Sequence, residues 1–163
     1  MKTFITAFLF GLFGAVAVAL FFAMHWPTWV MFIAWVSFYL FGRTIKSSLS
    51  ALLQIVLGII MGACIQIIEG LTSGTAGQLS FPIAVFLFIG SLAYISRIKA
   101  FRNIPAWFLG LIVFFGIQPK LNILSVSELI IPLVAGFVFA FLNYTSVEIA
   151  QQNKALSKIQ TVE

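Results

Sequence analysis

The chain has 163 residues, of which 62% are hydrophobic and 8% charged. Soluble domains carry roughly 25% charged residues, so this composition cannot clothe a globule in polar surface and excludes an ordinary water-soluble fold. The net charge of +5 comes from basic residues lying between apolar runs, where they orient a membrane protein rather than bind nucleic acid.

Six apolar segments follow one another along the chain. The first, over 4–24, is about one membrane span long. It leads into His25, Trp26 and Pro27 with no small-x-small cleavage pattern, so it reads as a retained helix rather than a signal peptide. The others cover 27–41, 49–68, 81–95, 105–117 and 129–144. None alternates apolar with polar residues as a barrel strand does, and a helix satisfies its own backbone in lipid. The expected fold is therefore all-α and integral to the membrane, with six transmembrane helices in one domain over 1–144. A polar cytoplasmic tail over 145–163 follows. Its thin apolar stripe of Ile149, Leu156 and Ile159 fits a solvated continuation of the sixth helix. Residues 70–80 are uncharged and contain Gly70, Gly74 and Gly77, which predicts a flexible external loop. Trp26 and Trp29 are expected at the outer interface and Trp107 at the inner one, with ring buried and N–H wet. Cys64 is the only cysteine and reads as a small buried hydrophobe.

The basic residues test this division. With a cytoplasmic amino terminus, six crossings place Lys2, Arg43, Lys46, Arg97, Lys99, Arg102, Lys154 and Lys158 inside and only Lys120 outside. Eight of the nine basic residues then obey the positive-inside rule, and both termini face the cytoplasm. A re-entrant second segment would move Arg43 and Lys46 outside.

Shifted by 78 residues, the sequence partly matches itself: Pro27 falls on Pro105, Trp29 on Trp107, Val56 on Val134 and Gly58 on Gly136. Proline and tryptophan are scarce, at five and four in the chain, so those coincidences outweigh matches among Phe, Leu and Ile. Each half, about 4–66 and 82–144, reads as a long helix, a short proline-initiated helix, a polar linker and a helix with close small residues. Gly58 and Gly62, and equivalently Gly136 and Ala140, are spaced one turn apart, which lets helix backbones approach. Three helices per half is an odd number, so the second half enters the membrane from the opposite side. Inverted three-helix repeats of this kind are a recurrent plan of transporters.

The second and fifth segments, of about 15 and 13 residues, span about 20–22 Å of a core of about 30 Å. Short segments at matching places in two halves point to a binding site in transporters. Proline suits a helix's first turn, and the N–H groups there attract an anion or a carbonyl. The polar residues within the segments are Ser37, Gln54, Gln66, Ser91, Tyr94 and Asn143. Pro27, Ser37, Gln54, Ser91, Pro105 and Asn143 are the candidates for a solute path, while Gly58, Gly62, Gly136 and Ala140 are read as packing residues. For Gln54, an amide partner on another helix competes with a watery path.

No phosphate loop, dinucleotide fingerprint, zincin motif or Cys/His cluster occurs, and the single histidine, His25, has no acid neighbour in sequence. No catalytic, cofactor or metal site is expected. The chain resembles the bacterial inner-membrane family called domain of unknown function 1097. The resemblance is carried by residues 11–18 (GLFGAVAV), Trp29 and the 34–41 stretch, by Ile104 and Pro105 with Gly110 and Gly116, and by Gly136 with the polar tail. It implies a small multi-pass protein of the bacterial inner membrane and no particular activity. The repeat and the short helices point to a transporter or channel for a small neutral or anionic solute, working as a homo-oligomer. The alternative is a non-transporting membrane subunit with an assembly or regulatory role. Reporter fusions test the orientation: a fusion at Gly74 is expected to report the periplasm and one at Glu163 the cytoplasm, and the reverse at either site overturns it.

Overall fold

A computed structural model describes the backbone of residues 2–160 and the side chains of residues 3–152. The described residues are 87% helical, without strands. The helices are α1 (Lys2–Ala23), α2 (Thr28–Phe41), α3 (Ile45–Ala76), α4 (Ser80–Ile95), α5 (Ile104–Ile117), α6 (Ile123–Ser127) and α7 (Ile130–Gln160). Three helical stretches are long and apolar enough to cross a membrane: Thr3–Ala23, Ile45–Ile95 and Ile123–Gln152. α2 and α5 are apolar but only 14 residues each, about 21 Å.

Local chemistry sets the helix ends. Gly42 ends α2 at φ 129°, a conformation with little penalty for glycine alone. Thr44 and Ser47 then cap α3 reciprocally. The Thr44 hydroxyl accepts from the Ser47 N–H at 3.2 Å, and the Ser47 hydroxyl accepts from the Thr44 N–H at 3.1 Å. Each bond satisfies a donor that the first turn leaves unpaired. Pro27 occupies the cap position of α2, whereas Pro105 is the second residue of α5, so the matched prolines sit two positions apart on their helices.

The external loop expected over 70–80 is not one. α3 continues to Ala76, and a 3₁₀ turn at Gly77–Leu79 leads directly into α4. The hydroxyls of Thr72, Ser73 and Thr75 turn back onto carbonyls three or four residues earlier. Their polarity is thus absorbed within the helix instead of breaking it. The chain reverses at Gly77, whose φ is +53°. Ile68 on α3 consequently faces Leu87, Phe88 and Ser91 on α4. The short α6 was not expected; Asn122 caps it, its side chain accepting from the Ser125 N–H at 2.7 Å. α7 runs unbroken into the polar tail. Of the tail stripe, the Leu156 and Ile159 side chains lie outside the described residues.

The chain forms two compact units, one built from residues up to Ser48 together with those from Pro132 onward, the other from Leu49–Ile131. The first contains α1, α2 and nearly all of α7. Phe10 of α1 meets Tyr39 of α2, and Phe21 meets Trp26 across the turn, so these two helices are antiparallel. Gly136 of α7 lies against Met31 and Ala34 of α2, and Tyr144 against Phe38 and Tyr39. α7 therefore runs parallel to α2. Ala17, Phe21 and Met31 form the core, with Ala135 and Phe139 packed on it.

The second unit contains α4, α5 and nearly all of α3. Phe81 at the start of α4 packs on Phe115 at the end of α5, so these two are antiparallel. Gln54, Gly58 and Gly62 of α3 meet Asn103, Trp107 and Phe114 of α5 in that order, so α3 runs parallel to α5. Its core is Met61, Ile65, Ala84, Leu92, Trp107 and Leu111. The units do not coincide with the sequence halves: each joins the first two helices of one half to the third helix of the other.

Backbone contact between α3 and α5 leaves no space for a side chain. A Cβ on Gly58 would strike the Trp107 carbonyl, and one on Gly110 would lie 2.7 Å from the Gly58 Cα. In the other unit, a Cβ on Gly136 would lie 2.7 Å from that of Ala34. Gly58, Gly62 and Gly136 each leave too little room for a Cβ beside a neighbouring helix, and Ala140 is fully buried. Gly90 of α4 has nothing within 4 Å. Gly110→Ala should cost about 1–3 kcal/mol by overpacking, whereas Gly90→Ala should be neutral or stabilise by up to about 1 kcal/mol through helix propensity. Thermal unfolding of the two variants in detergent measures the opposed signs.

Candidate functional site

Two buried amides organise the polar interior. Gln54 is 2% exposed and sits on the α3 face turned to α5. Its Oε1 accepts from the Asn103 backbone N–H at 2.8 Å, and its Nε2 donates to the Ser50 carbonyl at 3.1 Å. Asn103 is the cap residue of α5 and has no side-chain cap of its own. Gln54 thus satisfies, from a neighbouring helix, a donor at the start of the short helix.

The second amide is Asn143 on α7, fully buried. Its Oδ1 accepts from the Tyr39 hydroxyl at 2.9 Å, and its Nδ2 donates to the Leu9 carbonyl at 3.3 Å. It ties together all three helices of its unit. Arg43 lies over the Tyr39 ring, 5.4 Å from its centroid, so the cluster grades from a buried amide to a cation at the helix end. Sequence reasoning named Asn143 but not Tyr39 or Leu9; a backbone carbonyl 134 positions away leaves no local signal.

The remaining candidates divide between the units. Ser37 is buried and its hydroxyl donates to the Ile33 carbonyl at 2.7 Å. Ser91 donates to the Phe88 carbonyl at 2.6 Å and lines a cavity of about 310 Å³ with Ile68, Leu87 and Phe88. Pro27 is half-buried and Pro105 exposed. Within each unit the structure brings Gln54 to the start of the proline-bearing α5, and Asn143 to the end of α2. It does not gather the candidates around a common cavity there. The Trp107 ring is buried at 6% exposure, and its indole N–H donates to the Phe101 carbonyl at 3.2 Å.

A cavity of about 460 Å³ involves none of these residues. It opens in the Leu49–Ile131 unit between one face of α3 and residues 121–130, and its lining is apolar except for Asn122 and Ser127. Among the described residues no group of three or more His, Cys, Asp or Glu could hold a metal.

Gln54→Leu should cost about 1–3 kcal/mol, because it removes the acceptor of the part-buried Asn103 N–H. Amide exchange at Asn103 should quicken while exchange in mid-α4 stays unchanged; equal protection in the variant would refute the cap.

No curated protein and no solved structure matches the chain. The family described as Protein of unknown function (DUF1097) matches residues 7–147, from the first helix to beyond Asn143. The chain belongs to that family.

Proposed function

We propose that the protein crosses the bacterial inner membrane six times, with both termini cytoplasmic, and carries a small neutral or anionic solute as a transporter or channel. The observation behind this is the common plan of the two units. Each has a 14-residue helix, an antiparallel neighbour, and a long helix running parallel to the short one with a glycine at the contact. Helix directions support the crossings. If every long or short helix crosses, three crossings separate α2 from α7, so the two run the same way, as do α3 and α5. Had one of the three helices between α2 and α7 lain flat, α2 and α7 would oppose each other.

An inverted repeat gives a chain two nearly equivalent packing solutions, which alternating access requires. In this proposal the ends of α2 and α5 frame the path, and their prolines keep the helices from growing into it. The protein acts as a homo-oligomer in the lipid bilayer, without catalytic, cofactor or nucleic-acid chemistry.

A second reading, a non-transporting subunit with an assembly or regulatory role, is favoured by one observation. The buried amides of Gln54 and Asn143 are both engaged within their units, as in a dry, close-packed bundle.

Flux in proteoliposomes across a panel of small neutral and anionic metabolites separates the two. Saturable flux of one solute class is expected. It should fall several-fold in the Pro27→Ala, Pro105→Ala double variant, at unchanged membrane abundance and melting temperature. No flux for any solute supports the subunit reading, and unchanged flux in the double variant returns both prolines to helix initiation alone.

A further inference from the structure

The 460 Å³ cavity is lined by none of the candidate solute-path residues. On α3 it is lined by Val56, Ile59, Ile60, Ala63, Cys64 and Ile67. These recur at three- and four-residue steps, forming a single stripe. At 1.5 Å per residue the stripe is about 16 Å long, roughly half of a 30 Å hydrocarbon core. It has the length of one leaflet. The volume lies within the range of about 300–1,000 Å³ typical of ligand sites.

The opposite wall comes from Asn122, Ile123, Val126 and Ser127. Each of its two polar side chains makes one bond within its own segment: the Asn122 oxygen accepts from the Ser125 N–H at 2.7 Å, and the Ser127 hydroxyl donates to the Leu124 carbonyl at 2.8 Å. A hydrogen-bonding solute would forfeit its water and gain little in return. The chemistry selects an apolar chain.

The same segment supplies one charge of each sign. Lys120 precedes the lining stretch and Glu128 lies within it next to Ser127; both are exposed. Lys120 is also the one basic residue that departs from the orientation rule. A phosphate complements the ammonium, and a primary ammonium complements the carboxylate. A headgroup with net negative charge would meet Glu128 unfavourably.

We propose that this groove holds one acyl chain of a phospholipid whose zwitterionic, ammonium-bearing headgroup rests against Lys120 and Glu128. The site is separate from the solute path proposed above and does not depend on transport.

The test uses the full chain in nanodiscs containing phosphatidylethanolamine, phosphatidylcholine and phosphatidylglycerol with matched acyl chains, followed by native mass spectrometry. One retained lipid is expected, with phosphatidylethanolamine preferred. Ala63→Trp, which fills the groove, should abolish retention, and Glu128→Gln should erase the preference while a lipid is still bound. Cys64, the only cysteine, lines the groove and gives a readout in the unmodified protein. Maleimide labelling should slow when phosphatidylethanolamine is returned to delipidated protein, and this holds the test open if Ala63→Trp fails to fold. Absence of a retained lipid together with lipid-independent Cys64 labelling overturns the site. So does unchanged retention in folded Ala63→Trp. Equal retention of phosphatidylglycerol overturns the headgroup assignment. Loss of a dimer in Ala63→Trp without any lipid loss assigns the groove to a second copy of the chain and overturns the proposal.

Discussion

Gly58 and Gly110 bring two helix backbones into direct contact, and the Leu49–Ile131 unit is arranged around that contact. In lipid the hydrophobic effect does not drive helices together, because a lipid tail is as apolar as leucine; close packing does. Without side chains at these two positions, α5 lies along α3 closely enough for Gln54 to reach the Asn103 N–H. Trp107 is then pressed into the core, and Phe114 closes over Gly62. Gly136 holds the corresponding place in the other unit, against Met31 and Ala34. There the Ala34 methyl joins the Met31 backbone at the contact, so the two units share a plan without sharing atomic detail.

Polar satisfaction follows from that packing. The short helices start or end where an amide from a longer helix meets them: Gln54 at the first residue before α5, and Asn143 beside Tyr39 near the end of α2. Each amide uses both its oxygen and its nitrogen. Removing either therefore orphans partners on helices distant in sequence, and the loss is felt across a whole unit rather than locally.

Much of this could be read from the residues. The apolar runs marked six of the seven helices to within a few residues at most ends, because a span of uniformly apolar sequence has few alternatives in lipid. The glycine spacing named the packing surface, since the steric demand is written in the residue type itself. Other features could not be read. Gly70, Gly74 and Gly77 resemble a loop by composition, yet α3 runs through the first two to Ala76. The Trp107 indole found its acceptor in the Phe101 carbonyl six residues away, a partner that the residue type does not name. The partners of Gln54 and Asn143 depend on tertiary register, which neither periodicity nor composition encodes. Nor does a 78-residue self-match reveal that each unit takes its third helix from the other half. α6 is too short and too weakly patterned to stand out.

That exchange of third helices gives the two units different histories on the ribosome. The Leu49–Ile131 unit is one continuous stretch of chain and can close as soon as α5 has emerged. The other unit is split: α1 and α2 are made first, and Gly136 and Asn143 come only after the whole second unit has been synthesised. At about 5–20 residues per second, translation of the intervening stretch takes roughly 4–17 s. Throughout that interval Met31 and Ala34 are without the Gly136 face of α7. Membrane chaperones and proteases that sample unpaired helices would therefore meet the amino-terminal hairpin, and a chain that stops short of α7 would leave one unit finished and the other permanently open.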